Sequence, residues 1–119
     1  MEDSILKSTK KILAIPPEYT AFDPDIITHI NSVFSILYQM GIGPTQGFMI
    51  EDETKLWSEF DVPSDQHNMV KTYMFLKVSM LFDPPNTSYL ITAKENQIAE
   101  WEWRLREFRE MAIPLPEEV

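Results

Sequence analysis

Residues 66–82 form the most apolar stretch of the chain. Their sequence, QHNMVKTYMFLKVSMLF, contains no Gly or Pro, and Lys71 and Lys77 are among its few polar breaks. As a helix it would be roughly 25 Å long, and a helix that is apolar nearly all round is covered by neighbours on several sides. It is too short and too interrupted by lysine to cross a bilayer, which takes about 20 apolar residues. The pattern predicts a buried central helix around which the other elements pack.

An amphipathic helix is predicted at the start of the chain. Apolar side chains recur at helical spacing from residue 5 to residue 13, Asp3 or Ser4 can provide the N-cap, and the helix should end near Ala14, before two prolines. Three lysines lie off this apolar face: Lys7, Lys10 and Lys11.

The second predicted helix has clear start and stop residues. Asp23 is placed to act as the N-cap, with Pro24 at the first helical position, and Gly41 is placed as the glycine just beyond the C-cap. The segment 45–51 has no helical period and could include a short extended piece at residues 48–50. Asp52 could then cap a short helix over residues 54–60.

The last predicted helix runs from about Ser88 to Met111. Its apolar positions recur every three to four residues, which suits packing along another long helix; they are Ile91, Ile98, Trp101, Leu105, Phe108 and Ala112, with Lys94 as the interruption. Opposite charges four residues apart stabilise its other faces; the pairs are Glu100 with Arg104, Glu102 with Arg106, and Arg106 with Glu110.

Trp103 breaks this pattern because it points about 200° away from Trp101 and its apolar face. Either another part of the same chain covers Trp103, or it belongs to an interface, where Trp is enriched. Residues 113–119, IPLPEEV, contain two prolines and are predicted to form an extended tail.

These patterns predict an all-α fold: a small bundle of about four to five helices with a long C-terminal helical hairpin and an extended C-terminal tail. Residues 1–112 should form a single helical domain and residues 113–119 the tail. The predicted core residues lie on the hairpin; they are Tyr73, Leu76, Met80, Phe82, Ile98, Trp101, Leu105 and Phe108.

The composition of the chain argues against several classes of function. The chain has a net charge of −9 and no Cys, which argues against phosphate-contacting DNA binding and excludes a thiolate nucleophile. The two histidines, His29 and His67, have no spacing typical of metal ligands, and the three glycines form no phosphate-binding loop. We expect no catalytic residues, no metal and no cofactor, and therefore not an enzyme. The acidic N-terminus also argues against a signal peptide.

The hairpin region resembles a known family. The relevant segments are Lys71-Thr72-Tyr73, Leu76-Lys77-Val78, Leu81-Phe82-Asp83-Pro84-Pro85, Gln97-Ile98 and Glu100-Trp101-Glu102-Trp103-Arg104-Leu105. With the order of the predicted helices, this succession is similar to the head–tail connector (adaptor, or head completion) proteins of long-tailed bacteriophages. The resemblance spans most of the chain, and its specific part is residues 73–105.

The resemblance implies a structural virion protein of the neck, at the head–tail interface, made in the cytoplasm of the bacterial host. Such proteins form a homo-oligomeric ring, usually of about twelve copies, between the portal protein and the next neck or tail connector, and they extend the DNA channel. DNA is expected to pass without specific binding, because a ring of this chain would carry on the order of −100 charges that repel phosphates. No membrane contact is expected.

Within such a ring, several residues become candidates for oligomer or partner contacts: Trp103, Arg106, Glu110, Ile113, Leu115, Phe48 and Met49. Two alternatives remain open. One is an acidic DNA mimic that inhibits a nucleic-acid enzyme, although Arg104, Arg106 and Arg109 interrupt the negative charge. The other is a general acidic helical interaction protein.

Overall fold

The structure is a computed structural model that describes residues 4–112, with the backbone alone described for residues 64–65 and 108–112. Its elements in chain order are α1 (Ile5–Ile12), α2 (Asp23–Gln39), a one-turn 3-10 helix (Trp57–Glu59), α3 (Ser64–Phe82) and α4 (Ser88–Ala112). These residues contain no strand, only an isolated antiparallel bridge between Ser4 and Leu56. The predicted all-α bundle is confirmed.

The central position predicted for residues 66–82 is also confirmed. Helix α3 packs against α1, α2 and α4. Two polar contacts show that α3 and α4 run antiparallel as the predicted hairpin: the Tyr73 hydroxyl donates to the Glu102 carboxylate at 2.8 Å, and Lys94 Nζ donates to Ser79 Oγ at 3.1 Å. Lys94, which interrupts the apolar face of α4, is therefore accommodated by a hydroxyl on α3.

The core lies where α1, α2 and α3 meet. Phe34 is its aromatic centre, with its ring centroid 5.0 Å from that of Phe60 and 4.9 Å from that of Phe48. The indole of Trp57 is buried beside them, and its Nε1 donates to Ser8 Oγ at 2.9 Å. A buried Trp whose N–H has a partner carries no unmet polar group into the core.

Helix α1 ends two residues before the predicted Ala14. Ser4 is the N-cap, and its Oγ accepts from the Lys7 N–H at 3.2 Å. After the helix, the Ile15 N–H donates to the Lys10 carbonyl at 2.9 Å, and Ala14 has a φ of +62°. This is a Schellman ending, which a glycine would normally occupy.

The prediction that Lys10 lies off the buried face of α1 is wrong. Lys10 is 2% exposed. Its ammonium donates to the carbonyls of Pro17 at 3.1 Å and Tyr19 at 2.7 Å, and it lies 2.9 Å from the Asp23 carboxylate. Because it contacts the connector between α1 and α2 and also the first residue of α2, Lys10 fixes the path of that connector.

Asp23 was predicted as the N-cap of α2, and this is wrong. Asp23 is the first helical residue, the cap position is occupied by Phe22 with no side-chain cap bond, and the carboxylate pairs with Lys10 instead. At the other end, Gly41 takes a φ of +83°, and the Ile42 N–H donates to the Leu37 carbonyl at 2.9 Å. The predicted glycine stop is confirmed.

The short helix predicted over residues 54–60 is wrong: only a single 3-10 turn forms, at Trp57–Glu59. Leu56, just before the turn, is extended, and next to it the Lys55 carbonyl accepts from the Ile5 N–H at 3.0 Å. Asp52 does not cap a helix, but its carboxylate accepts from the backbone and hydroxyl of Thr54, which holds the pKa of Asp52 below its usual range.

Residues 45–51 form no strand or helix. The Asn31 side chain on α2 takes the place of a neighbouring strand. Its Oδ1 accepts from the Ile50 N–H at 2.8 Å, and its Nδ2 donates to the Ile50 carbonyl at 3.0 Å. Both backbone groups of a buried residue are thereby satisfied by one amide.

Candidate interaction surfaces

Trp103 lies on the outer face of α4 and is 61% exposed. Two residues earlier, Trp101 is half-buried and packs against the core, so the two indoles point to different sides of the helix. No described part of the chain covers Trp103. Of the two explanations that the sequence left open, coverage by the same chain is therefore not seen within the described residues. A large exposed indole is a feature of interaction sites.

Charged side chains flank Trp101 on the outer side of α4. Arg104 bonds the Glu100 carboxylate at 2.9 Å through its Nη2, and the same guanidinium lies 5.6 Å from the centre of the Trp101 ring. The predicted pair between Glu100 and Arg104 is therefore confirmed. Arg106, three residues after Trp103, is also exposed. Trp103 is thus bordered by charged side chains, as in an apolar contact with a polar rim.

Glu102 was expected to pair with Arg106, but its carboxylate accepts from the Tyr73 hydroxyl across the hairpin. Tyr73 is fully buried as a residue. Burial raises the pKa of the Tyr73 hydroxyl well above its usual range, and the neighbouring Glu102 carboxylate raises it further. The phenol therefore stays protonated and keeps donating, which holds α4 in register on α3.

A second exposed apolar region, here called the aromatic patch, consists of Tyr19, Phe22 and Phe82. Phe22 packs edge-on against Phe82 with ring centroids 5.3 Å apart and against Tyr19 at 5.5 Å. Tyr19 and Phe22 are exposed, and Phe82 is half-buried. His29 on α2 borders the patch, with its ring 6.5 Å from that of Phe82. Nearby in sequence, Leu81 is also exposed.

The aromatic patch was not predicted as a contact region. Tyr19 and Phe22 lie in a connector without periodicity, so their sequence pattern carries no information on burial. The fixed path of this connector comes from its carbonyls at Pro17 and Tyr19, which bond Lys10. Aromatic residues in a proline-containing connector were the one available indication.

Phe48 and Met49, the two predicted contact residues in the 45–51 loop, differ in exposure. Met49 is 65% exposed. Phe48 is half-buried, with its ring packed edge-on against Phe34 and Phe60 and with Lys55 Nζ 5.5 Å above it. Phe48 therefore anchors the loop, and Met49 is the side chain that a neighbour could reach.

Most of the remaining predicted core and contact residues lie in the described part of the chain, and the others lie outside it. Among the predicted core residues, Tyr73, Ile98 and Leu105 are buried, while Leu76, Met80, Phe82 and Trp101 are half-buried against the core. The side chains of Phe108 and Glu110, and the whole of residues 113–119 with Ile113 and Leu115, lie outside the described residues.

The described residues contain no group of three or more His, Asp or Glu side chains arranged to hold a metal ion. Within the same part of the chain, none of the helices combines the length and apolar character needed to span a membrane.

Comparison with protein families gives one match. The family model described as "Phage connector protein" matches residues 5–111, from the start of α1 to the last turn of α4. Searches of curated proteins and of solved structures returned no match to the chain. The matched region includes the hairpin, Trp103 and the aromatic patch. The chain therefore belongs to the phage connector protein family.

Proposed function

We propose that this protein is a neck component of a phage virion that assembles as a closed ring of about twelve copies between the portal protein and the next connector. Family membership supports a structural connector role. The observation that carries the ring is that exposed apolar side chains lie at separate places on one small domain, among them Trp103 and the aromatic patch.

The separation of these two regions follows from the hairpin. Phe82 ends α3 and Ser88 begins α4 just after it, whereas Trp103 lies roughly 22 Å further along the α4 axis. Closed rings use a heterologous contact, in which one surface of a subunit meets a different surface of the next. Two distinct apolar regions match that requirement, whereas a twofold dimer needs one self-complementary surface.

The charge of the chain supports the passage of DNA through such a ring. The net charge of −9 per chain gives on the order of −100 charges for a ring of this size. A ring of this net charge would on average repel phosphates, so DNA could move through it without being held. The same charge argues against phosphate contacts as the basis of affinity.

The proposal is tested by native mass spectrometry of the protein alone and with the purified portal ring. We expect a closed oligomer in at least one of the two samples, and on the portal ring a complex of fixed stoichiometry. If only monomer is found in both samples across the micromolar range, the proposed ring is refuted.

Replacement of Trp103 by Ala tests which surface makes the contact. A buried interface Trp commonly contributes about 2 kcal/mol or more, so each subunit contact should weaken roughly 30-fold. Because Trp103 is exposed within the described residues, the melting temperature and helical content should hardly change. Tyr38→Ala removes another exposed aromatic side chain, from α2, and is the matched control, for which assembly should be retained. If Trp103→Ala assembles like the wild type, the outer face of α4 is not the contact.

A further inference from the structure

A groove open to solvent runs along α1 on the side of residues 53–56. Its apolar lining includes Ile15, Pro16 and Leu56. Its charged lining residues are Lys7, Lys11 and Glu53. Both lysines are exposed, and Lys7 also lies 3.4 Å from the equally exposed Glu53 carboxylate. The neighbouring Lys10 does not contribute, because its ammonium is buried against the connector.

The groove has an unusual charge for this chain. Its charged lining residues, Lys7, Lys11 and Glu53, give the groove a net charge of +1, although the whole chain has a net charge of −9. The apolar lining and the exposed lysines together favour an occupant that is apolar at one end and acidic at the other. Exposed charges of this kind steer and orient a segment more than they hold it.

Residues 113–119 have this composition. The sequence IPLPEEV places Ile113 and Leu115 ahead of Glu117 and Glu118, and it contains no basic residue. Two prolines restrict φ in the free segment, which lowers the entropy lost on binding. We propose that the α1 groove binds residues 113–119 of a second copy of the chain, an inference that rests on the proposed ring.

The arrangement of the helices favours a second copy over the same chain. Helix α4 packs on α3, and α3 packs on α1, so two interhelical distances of about 8–10 Å each separate the axis of α4 from that of α1. Seven extended residues span at most about 25 Å. A segment from the same chain would use most of its length to cross α3, which leaves too little to lie along the groove.

Cysteine cross-linking tests the inference cleanly because the chain contains no Cys. One variant carries Lys11→Cys in the groove and Leu115→Cys in the tail. Under mild oxidation we expect a ladder of covalent multimers on a denaturing gel. The matched control carries Thr28→Cys, on an exposed position of α2, with the same Leu115→Cys, and it should stay monomeric.

The possible results distinguish a failure of tail binding from a failure of the proposed ring. Internally cross-linked monomer without a ladder would show that the tail binds its own chain, and a ladder of equal strength from the control would show random collision; either result overturns the inference. If native mass spectrometry shows an intact ring but no ladder forms, the inference fails while the proposed function stands. If a ladder forms without a ring, tail binding stands and the ring fails.

The charge contribution is measured in the same experiment. Glu117→Gln and Glu118→Gln, added together to the groove and tail cysteines, should slow cross-linking about two- to five-fold, because Lys7 is the lysine that remains in the groove of this variant. Raising the salt concentration should slow the parent variant in the same direction. An unchanged rate in both tests would refute the role assigned to Lys7 and the acidic residues of the tail.

Discussion

Substitution of Lys10 by Met tests whether this buried lysine holds the connector that carries Tyr19 and Phe22. Methionine fits the volume of the buried lysine stem but cannot donate. The Pro17 and Tyr19 carbonyls would each lose a donor, and the Asp23 carboxylate would lose the ammonium 2.9 Å away. All three acceptors belong to the connector or to the first turn of α2.

The expected loss can be worked out from burial. Breaking a fully buried ion pair by removing one partner costs about 3–5 kcal/mol, because a charge is left without compensation. The Asp23 side chain is still 22% exposed, so water can partly replace the ammonium. We therefore expect the free energy of unfolding to fall by about 2–3 kcal/mol, which lowers the melting temperature by about 8–12 °C in a domain of this size.

The assay is urea unfolding at pH 7, followed by circular dichroism. Lys11→Met, on the same helix but at an exposed position, is the matched control and should lose less than about 0.5 kcal/mol. The double variant Lys10→Met with Asp23→Asn should recover part of the loss, since the orphaned charge is gone. A loss below about 1 kcal/mol for Lys10→Met would refute the reasoning, because the three contacts would then not be holding the connector.

Three further outcomes follow from the described contacts. Ala14→Gly should stabilise the protein by about 0.5–1 kcal/mol in thermal unfolding, because Ala14 has a φ of +62°; a destabilised variant would contradict this. Asn31→Ala should destabilise it by about 2–3 kcal/mol in urea, since both backbone groups of buried Ile50 lose their partner; hydrogen exchange at the Ile50 amide should rise with it. Burial and the Glu102 carboxylate raise the pKa of the Tyr73 hydroxyl, so its stabilisation is present below pH 10 and is lost as the pH rises above that value; Tyr73→Phe should show a smaller loss of stability between pH 9 and 11 than the wild type.

The sequence was sufficient to predict the elements whose causes are local. The apolar run at residues 66–82 predicts a helix covered on several sides, and Gly41 marks the end of α2, since both depend on neighbours a few residues away. The α3–α4 hairpin follows from the proline turn and the spacing of apolar residues on α4. These features depend on periodicity and backbone preference, which a single sequence contains.

The elements that were predicted wrongly depend on distant partners. Leu56 is extended, and not helical, because Ser4, about fifty residues earlier, bridges it. Lys10 is buried because acceptors from a connector without periodicity converge on it. Neither contact leaves a pattern in the local sequence, because the partner that decides the conformation lies in another element. The exposure of Tyr19 and Phe22 has the same origin.

The central helix explains why the surface of this small domain divides as it does. Helix α3 is apolar on most sides because α1 and α2 cover one part of it and α4 covers another. With α3 buried in this way, α4 needs only its inner face for folding, and Trp103 on its outer face contributes little to the stability of the single chain. Trp103 is therefore a side chain that could make the subunit contact proposed above without a cost to the fold. The buried α3–α4 contact therefore supports a division of roles, in which the inner faces stabilise the subunit and the outer face of α4 is available for assembly.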